Sequence, residues 1–198
     1  MALSPSQLQA LIDRAGEALQ GIQNDLGPDG PGGRVRFPRG YLKTVHARIG
    51  RFTWINDDTL KRNLCYHLIF SDVLRWLLNR TDLAGVAHGM VVKHTIALMG
   101  SVVESLTMTA MKQLGHGRRN YAKRVECLFD EGLLDAALRN ELLWLWEARS
   151  GVHVYEVTDL ELDTYRVADS NRAIRATCTL ADTLNTHMLA REFEDLDS

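Results

Sequence analysis

Val92-Lys93-His94-Thr95-Ile96-Ala97-Leu98-Met99-Gly100-Ser101-Val102-Val103-Glu104-Ser105-Leu106-Thr107-Met108-Thr109-Ala110 is the stretch that decides the fold. Val92, Ile96, Met99, Val103, Leu106 and Ala110 recur alternately four and three residues apart. That spacing lines one face of a helix turning every ~3.6 residues and has no counterpart in a strand, whose side chains alternate. All four prolines, Pro5, Pro28, Pro31 and Pro38, precede this stretch. From residue 39 onward nothing removes a backbone donor or forces a helix to stop. The pattern predicts a long fourth helix capped at Thr81 or Asp82 and running to Leu114, with Gly85, Gly89 and Gly100 bending it or admitting a close neighbour.

Working toward the N-terminus, Asn56-Asp57-Asp58-Thr59 opens a third helix that ends near Asn79, its stripe made of Leu60, Leu64, Leu68, Val73, Leu74, Leu77 and Leu78. A second helix is expected over Arg39 to Phe52. Gly27-Pro28-Asp29-Gly30-Pro31-Gly32-Gly33 reads as a loop, because its glycines cost entropy and its prolines cannot donate. Ser4, Pro5 and Gln7 form a capping-box start for a first helix ending near Leu26.

Toward the C-terminus, Gly115-His116-Gly117 makes a turn, and helices follow over Asn120 to Phe129 and Leu133 to Ala148. The sixth helix contains Leu142-Leu143-Trp144-Leu145-Trp146, apolar all round, which calls for burial by neighbours or by a second subunit. Trp144 and Trp146 point about 200° apart. Asp169 caps a last helix with Ile174, Thr177, Cys178, Ala181, Leu184 and Met188 on one face. The expectation is an all-α chain, one domain over residues 1–198, folded as a bundle of six to seven helices. Residues 1–38 supply the first helix and its loop.

A net charge of −2 excludes a domain-wide basic surface, so any nucleic-acid contact must be local. Two basic clusters qualify: Arg34, Arg36, Arg39 and Lys43, and Arg118, Arg119, Lys123 and Arg124. Either can follow a phosphate backbone or simply solvate a helix end. Cys65, Cys127 and Cys178 are odd in number and embedded in apolar patterns, which reads as buried thiols in a reducing compartment. The N-terminal residues have no leader pattern, and no uninterrupted apolar stretch reaches membrane-spanning length, which points to a cytoplasmic protein without a membrane partner. His88 and His94 lie on different helix faces, and neither Cys-x-x-Cys nor His-Glu-x-x-His occurs, so no metal or other cofactor is expected. Gly-rich phosphate loops and Gly-x-Ser-x-Gly elbows are likewise missing from the sequence.

The chemically suggestive segment runs from Leu142 through Glu147-Ala148-Arg149-Ser150-Gly151-Val152-His153-Val154, followed by Glu156, Glu161 and Tyr165. In this arrangement, a helix ending in an arginine with a histidine just beyond, the chain resembles the HEPN superfamily as a divergent member. The resemblance covers about residues 90 to 190. It implies an α-helical bundle, action as a homodimer with paired motifs, and metal-independent cleavage or binding of RNA in defence, toxin or stress systems. A cognate antitoxin or other partner protein accompanies such roles. It further implies that Arg149 grips the scissile phosphate while His153 shuttles protons during attack of the ribose 2′-hydroxyl. Those residue types suit the task, since imidazole titrates near neutrality and guanidinium presents a fixed fork to phosphate oxygens. This sequence places Ser150 after the arginine and three residues before the histidine, where the family favours a polar Asn, Asp or His and a longer spacing.

Glu104, among Ser101, Thr107 and Met108, is positioned to orient Arg149, or to sit on a solvated face. Arg149 equally fits a cation complementing the carbonyls at a helix C-terminus, with His153 bonding those carbonyls. The alternative function is a non-catalytic protein-interaction module, acting as a homodimer, that binds a partner protein through an apolar surface bearing one of the two tryptophans.

Overall fold

A computed structural model describes residues 2–27, 34–117, 119–150 and 165–196, with side chains as far as Arg191. Every element among the described residues is helical. Contacts divide the chain into two units, Met1–Arg39 and Gly40–Ser198.

The first unit holds α1, Pro5–Leu26. The Ser4 hydroxyl accepts from the Gln7 N–H while the Gln7 side chain accepts from the Ser4 N–H, so two otherwise orphaned donors are satisfied. No α1 side chain is buried. Leu8, Ile12, Ala15, Leu19, Ile22 and Leu26 are spaced alternately four and three apart, the interval of a helix-pairing seam. Five of those six are large and exposed.

The second unit contains α2 (Val45–Ile49), a 3₁₀ turn (Gly50–Phe52), α3 (Asp58–Arg80), α4 (Gly85–Gln113), α5 (Tyr121–Asp130), α6 (Ala136–Ser150) and α7 (Val167–Leu196). The expected bundle is present, centred on α4, which touches α3, α5, α6 and α7. The predicted stripe Val92, Ile96, Met99, Val103, Leu106 and Ala110 is fully buried. Among the described residues α4 alone is long and apolar enough to cross a bilayer by length and composition, and here that apolar surface forms the core of the bundle.

Several boundaries differ from the sequence expectation, each for a local reason. The second helix does not begin at Arg39: it starts after Thr44, whose Oγ1 accepts from the Ala47 N–H, and tightens into 3₁₀ geometry by Gly50. Thr81 does not cap α4. Its hydroxyl donates to the Leu77 carbonyl and closes α3 instead, leaving α4 to start at Ala84 without a side-chain cap. The sixth helix opens at Asp135, which caps the Leu138 N–H, and so begins later than Leu133. Asp169 sits inside the first turn of α7 and accepts from the Arg166 N–H.

α4 and α5 stop in the same way. Gly115 and Gly132 both take φ +73°, a conformation side chains resist. In each case the glycine and its successor donate back into the helix, Gly115 to Lys112 and His116 to Met111, Gly132 to Phe129 and Leu133 to Leu128. These two reversals bring α5 and α6 back across α4 and set up the site below.

Candidate functional site

The expected site centres on α6. Its last turn carries Arg149 toward α4, and the approach is close: a Cβ on Gly100 would lie 2.8 to 3.0 Å from Arg149 side-chain carbons. The missing side chain at Gly100 is therefore what lets the arginine stem cross α4. Beyond that crossing, Arg149 Nη2 reaches Glu104 Oε2 at 3.0 Å, one helical turn along α4. Its guanidinium lies over the Trp146 ring at 4.8 Å from the centroid. The carboxylate fixes the fork at its edge and the indole supports its face.

Glu104 also faces a second arginine. Arg124 of α5 places Nη2 3.8 Å from Glu104 Oε1 and its guanidinium 5.5 Å from the Tyr121 centroid. The two rings form the floor of the cluster: Tyr121 stacks on Trp146 at 4.3 Å with planes 6° apart. The Tyr121 hydroxyl donates to the Leu142 carbonyl at 3.1 Å, which ties α5 to α6. Burial pushes the Tyr121 phenol well above its ordinary range, so it stays neutral. Glu104 and Arg149 remain 32% and 29% exposed, whereas Arg124 is only 7% exposed. Five side chains from three helices thus hold two guanidiniums against one carboxylate, with one guanidinium open and the other sealed.

Ser150, which follows Arg149, turns its hydroxyl back to the Trp146 carbonyl and does not enter the cluster. Tyr165 donates to the Ala148 carbonyl, and burial raises its phenol. His153, the expected proton shuttle, lies outside the described residues, as does Arg118.

The cluster of Arg118, Arg119, Lys123 and Arg124 does not behave as one surface. Arg119 and Lys123 are exposed, but Arg124 is buried. Its Nη1 donates to the Arg119 carbonyl at 2.8 Å and its Nε to Thr107 Oγ1 at 3.4 Å. Desolvation lowers its pKa, with Glu104 and Tyr121 opposing. Arg124 is thus better described as an internal partner of Glu104 than as a backbone-tracking cation. It also lines, with Lys112, His116, Arg119, Met108 and Met111, a cavity of about 310 Å³. Helical spacing carries a signal for this inward turn: Arg124 lies three residues after Tyr121 and four before Leu128, on the buried face of α5, while Lys123 is a ~100° step away.

The fold also brings together residues that spacing rules cannot connect. His116, Cys127 and Glu131 present ligand-type atoms within 4.8 Å of one another. His116 Nε2 is 3.0 Å from Glu131 Oε1, and Arg191 holds the other carboxylate oxygen at 3.3 Å. These are the described residues that could hold a metal ion. Their grouping follows from the reversal at Gly115 and from the one-turn spacing of Cys127 and Glu131.

The two α6 tryptophans, one of which is expected on an interaction surface, both make contacts inside the unit. Trp146 lies under Arg149 and against Tyr121, and Trp144 lies under the Arg172 guanidinium at 3.9 Å. Arg172 in turn chelates Glu141 at 2.6 and 3.0 Å.

Compared with protein-family models, curated proteins and solved structures, the chain matches none. Fold and site together define an all-helical protein in which α4, α5 and α6 converge on a guanidinium, carboxylate and aromatic cluster.

Proposed function

We propose that this chain is a HEPN-like protein that engages RNA at Arg149 and cleaves it without a metal ion. The observation that carries the reading is the pre-oriented, part-open Arg149, held by Glu104 at 3.0 Å over Trp146 in the space left by Gly100. A guanidinium has five N–H donors, and the Glu104 contact uses one face of that fork. The remaining donors can take phosphate oxygens, and an arginine whose rotamer is already fixed loses less entropy in doing so. Arg119 and Lys112, beside the Arg124 cavity, extend positive charge from the cluster.

In this reading His153 accepts the 2′-hydroxyl proton as O2′ attacks phosphorus, and then returns a proton to the departing O5′. The products are a 2′,3′-cyclic phosphate and a 5′-hydroxyl. Arg149 neutralises charge on the non-bridging oxygens, and Glu104 is a positioning residue that acts through Arg149. The homodimer implied by the resemblance finds support on α1, whose apolar stripe is exposed, rather than on the engaged tryptophans of α6. In the competing reading, a non-catalytic interaction module, Arg149 has only its structural role.

The test is incubation of wild type, Arg149→Ala and His153→Ala with mixed cellular RNA in EDTA. The proposal expects cleavage by wild type that is lost in both variants. Cleavage that requires added metal, or that survives in both variants, contradicts it and leaves the interaction module.

A further inference from the structure

A cleft of about 600 Å³ opens between the segment leading into α2, α3 and the start of α7, sharing no residue with the Arg149 cluster. Lys43, Arg48, Arg75, Arg80 and Asp72 line it, with Tyr41, Asn79 and Asn171. Four cations against one carboxylate are out of proportion in a chain whose net charge is −2. The single carboxylate is also already taken, since Asp72 Oδ2 holds Arg48 Nη2 at 2.5 Å.

Lys43, Arg75 and Arg80 are exposed and form no ion pair among the described residues. Arg48 is different. Its side chain is 14% exposed, Asp72 fixes its direction, and its buried Nε has no hydrogen-bond partner among the described residues. A guanidinium held in place by a carboxylate, behind three exposed cations that form no ion pair among the described residues, is an arrangement suited to an anion.

The charge points to the kind of anion. Like charges gathered in one cleft repel, and a singly charged carboxylate relieves that only in part. A ligand with two or more phosphoryl charges answers several cations at once, and arginine forks match its oxygens. We propose that this cleft binds a phosphorylated ligand of at least two negative charges, supplied as a free di- or triphosphate or as successive phosphates of a nucleic-acid backbone. The proposal is independent of the Arg149 reading.

The experiment is isothermal titration of the full chain at low salt with inorganic pyrophosphate, ATP and a short single-stranded RNA. Wild type and the Arg75→Ala/Arg80→Ala double variant are compared. Saturable binding of at least one probe, weakened about tenfold or more in the double variant, supports the cleft. If pyrophosphate or ATP saturates, the source is a free phosphate ester. If only RNA binds, with a salt dependence made shallower by the double variant, the source is a polynucleotide. Both arginines are exposed, and a melting temperature equal to wild type shows that the variant is folded; Lys43→Ala serves if it is not. Failure of all three probes to bind, or equal affinities in wild type and a folded variant, overturns the proposal.

Discussion

Gly100 and Arg149 form the most constrained pair at the scale of single residues. A methyl at position 100 meets Arg149 carbons including its Cβ, 2.9 Å away, so the collision cannot be relieved by swinging the far end of a side chain. Overpacking of this kind costs about 1–3 kcal/mol. Gly100→Ala is therefore expected to lower the urea midpoint and to pull Arg149 off Glu104. Removing the arginine stem removes the clash, so in a double-mutant cycle Gly100→Ala should cost much less in the Arg149→Ala background than in wild type. Strict additivity would mean that the two residues do not press on each other. This pair also marks what a sequence can convey. Glu104 and Arg149 are individually visible as a carboxylate on a mixed helix face and a cation at a helix end, and Gly100 as a permissive position. That the glycine serves that arginine depends on how α6 crosses α4. The partners of Arg124 are hidden for a related reason, since Thr107 and Glu104, which receive it, come from another helix.

Elements are joined by guanidinium clamps that local sequence does not announce. Arg139 of α6 holds both oxygens of Glu126 of α5 at 2.7 Å, and Arg172 of α7 holds both of Glu141 of α6. The hydrogen bonds from Arg139 depress the Glu126 pKa below 4.5. A carboxyl whose folded pKa is depressed stabilises the fold above its unfolded pKa and loses that contribution as pH falls through the folded value. Melting curves of wild type and Glu126→Gln should therefore differ at pH 7 and converge in acid below the ordinary 4.5. Because the two side chains remain 32% and 40% exposed, the difference is expected to be small and to shrink with salt. A gap that persists in acid would assign the effect to packing.

α1 poses the complementary case, a helix with a legible cap, a legible length and an apolar seam none of whose residues is buried among the described residues. If a second copy covers it, Ile12→Asp or Leu19→Asp should reduce the mass found by light scattering while leaving the melting of residues 40–198 unchanged. A wild-type chain that is monomeric at high concentration would remove that role. Periodicity and proline placement predict that the helices exist, but not where α2, α4, α6 and α7 start. Each start depends on which of several nearby capping residues wins, and Thr81 shows that a threonine between two helices can close the first as well as open the second.

Over the whole molecule, the organisation follows from α4. A helix apolar on most of its surface needs neighbours on most sides, and α3, α5, α6 and α7 supply them. That much was legible, because the buried stripe repeats with helical period in the sequence itself. The functional chemistry is less so. Clefts such as the one at Arg48 and groupings such as His116, Cys127 and Glu131 are assembled across elements with no shared local pattern. Arg149 gains meaning only when Glu104, Trp146 and Gly100 are seen around it. The most direct test of the account is the chemical nature of the ends left on RNA by the purified protein in EDTA. Fragments ending in a 2′,3′-cyclic phosphate, with Arg149→Ala leaving the RNA intact, are the predicted result; 3′-hydroxyl ends, or RNA untouched by the wild-type protein, would contradict it.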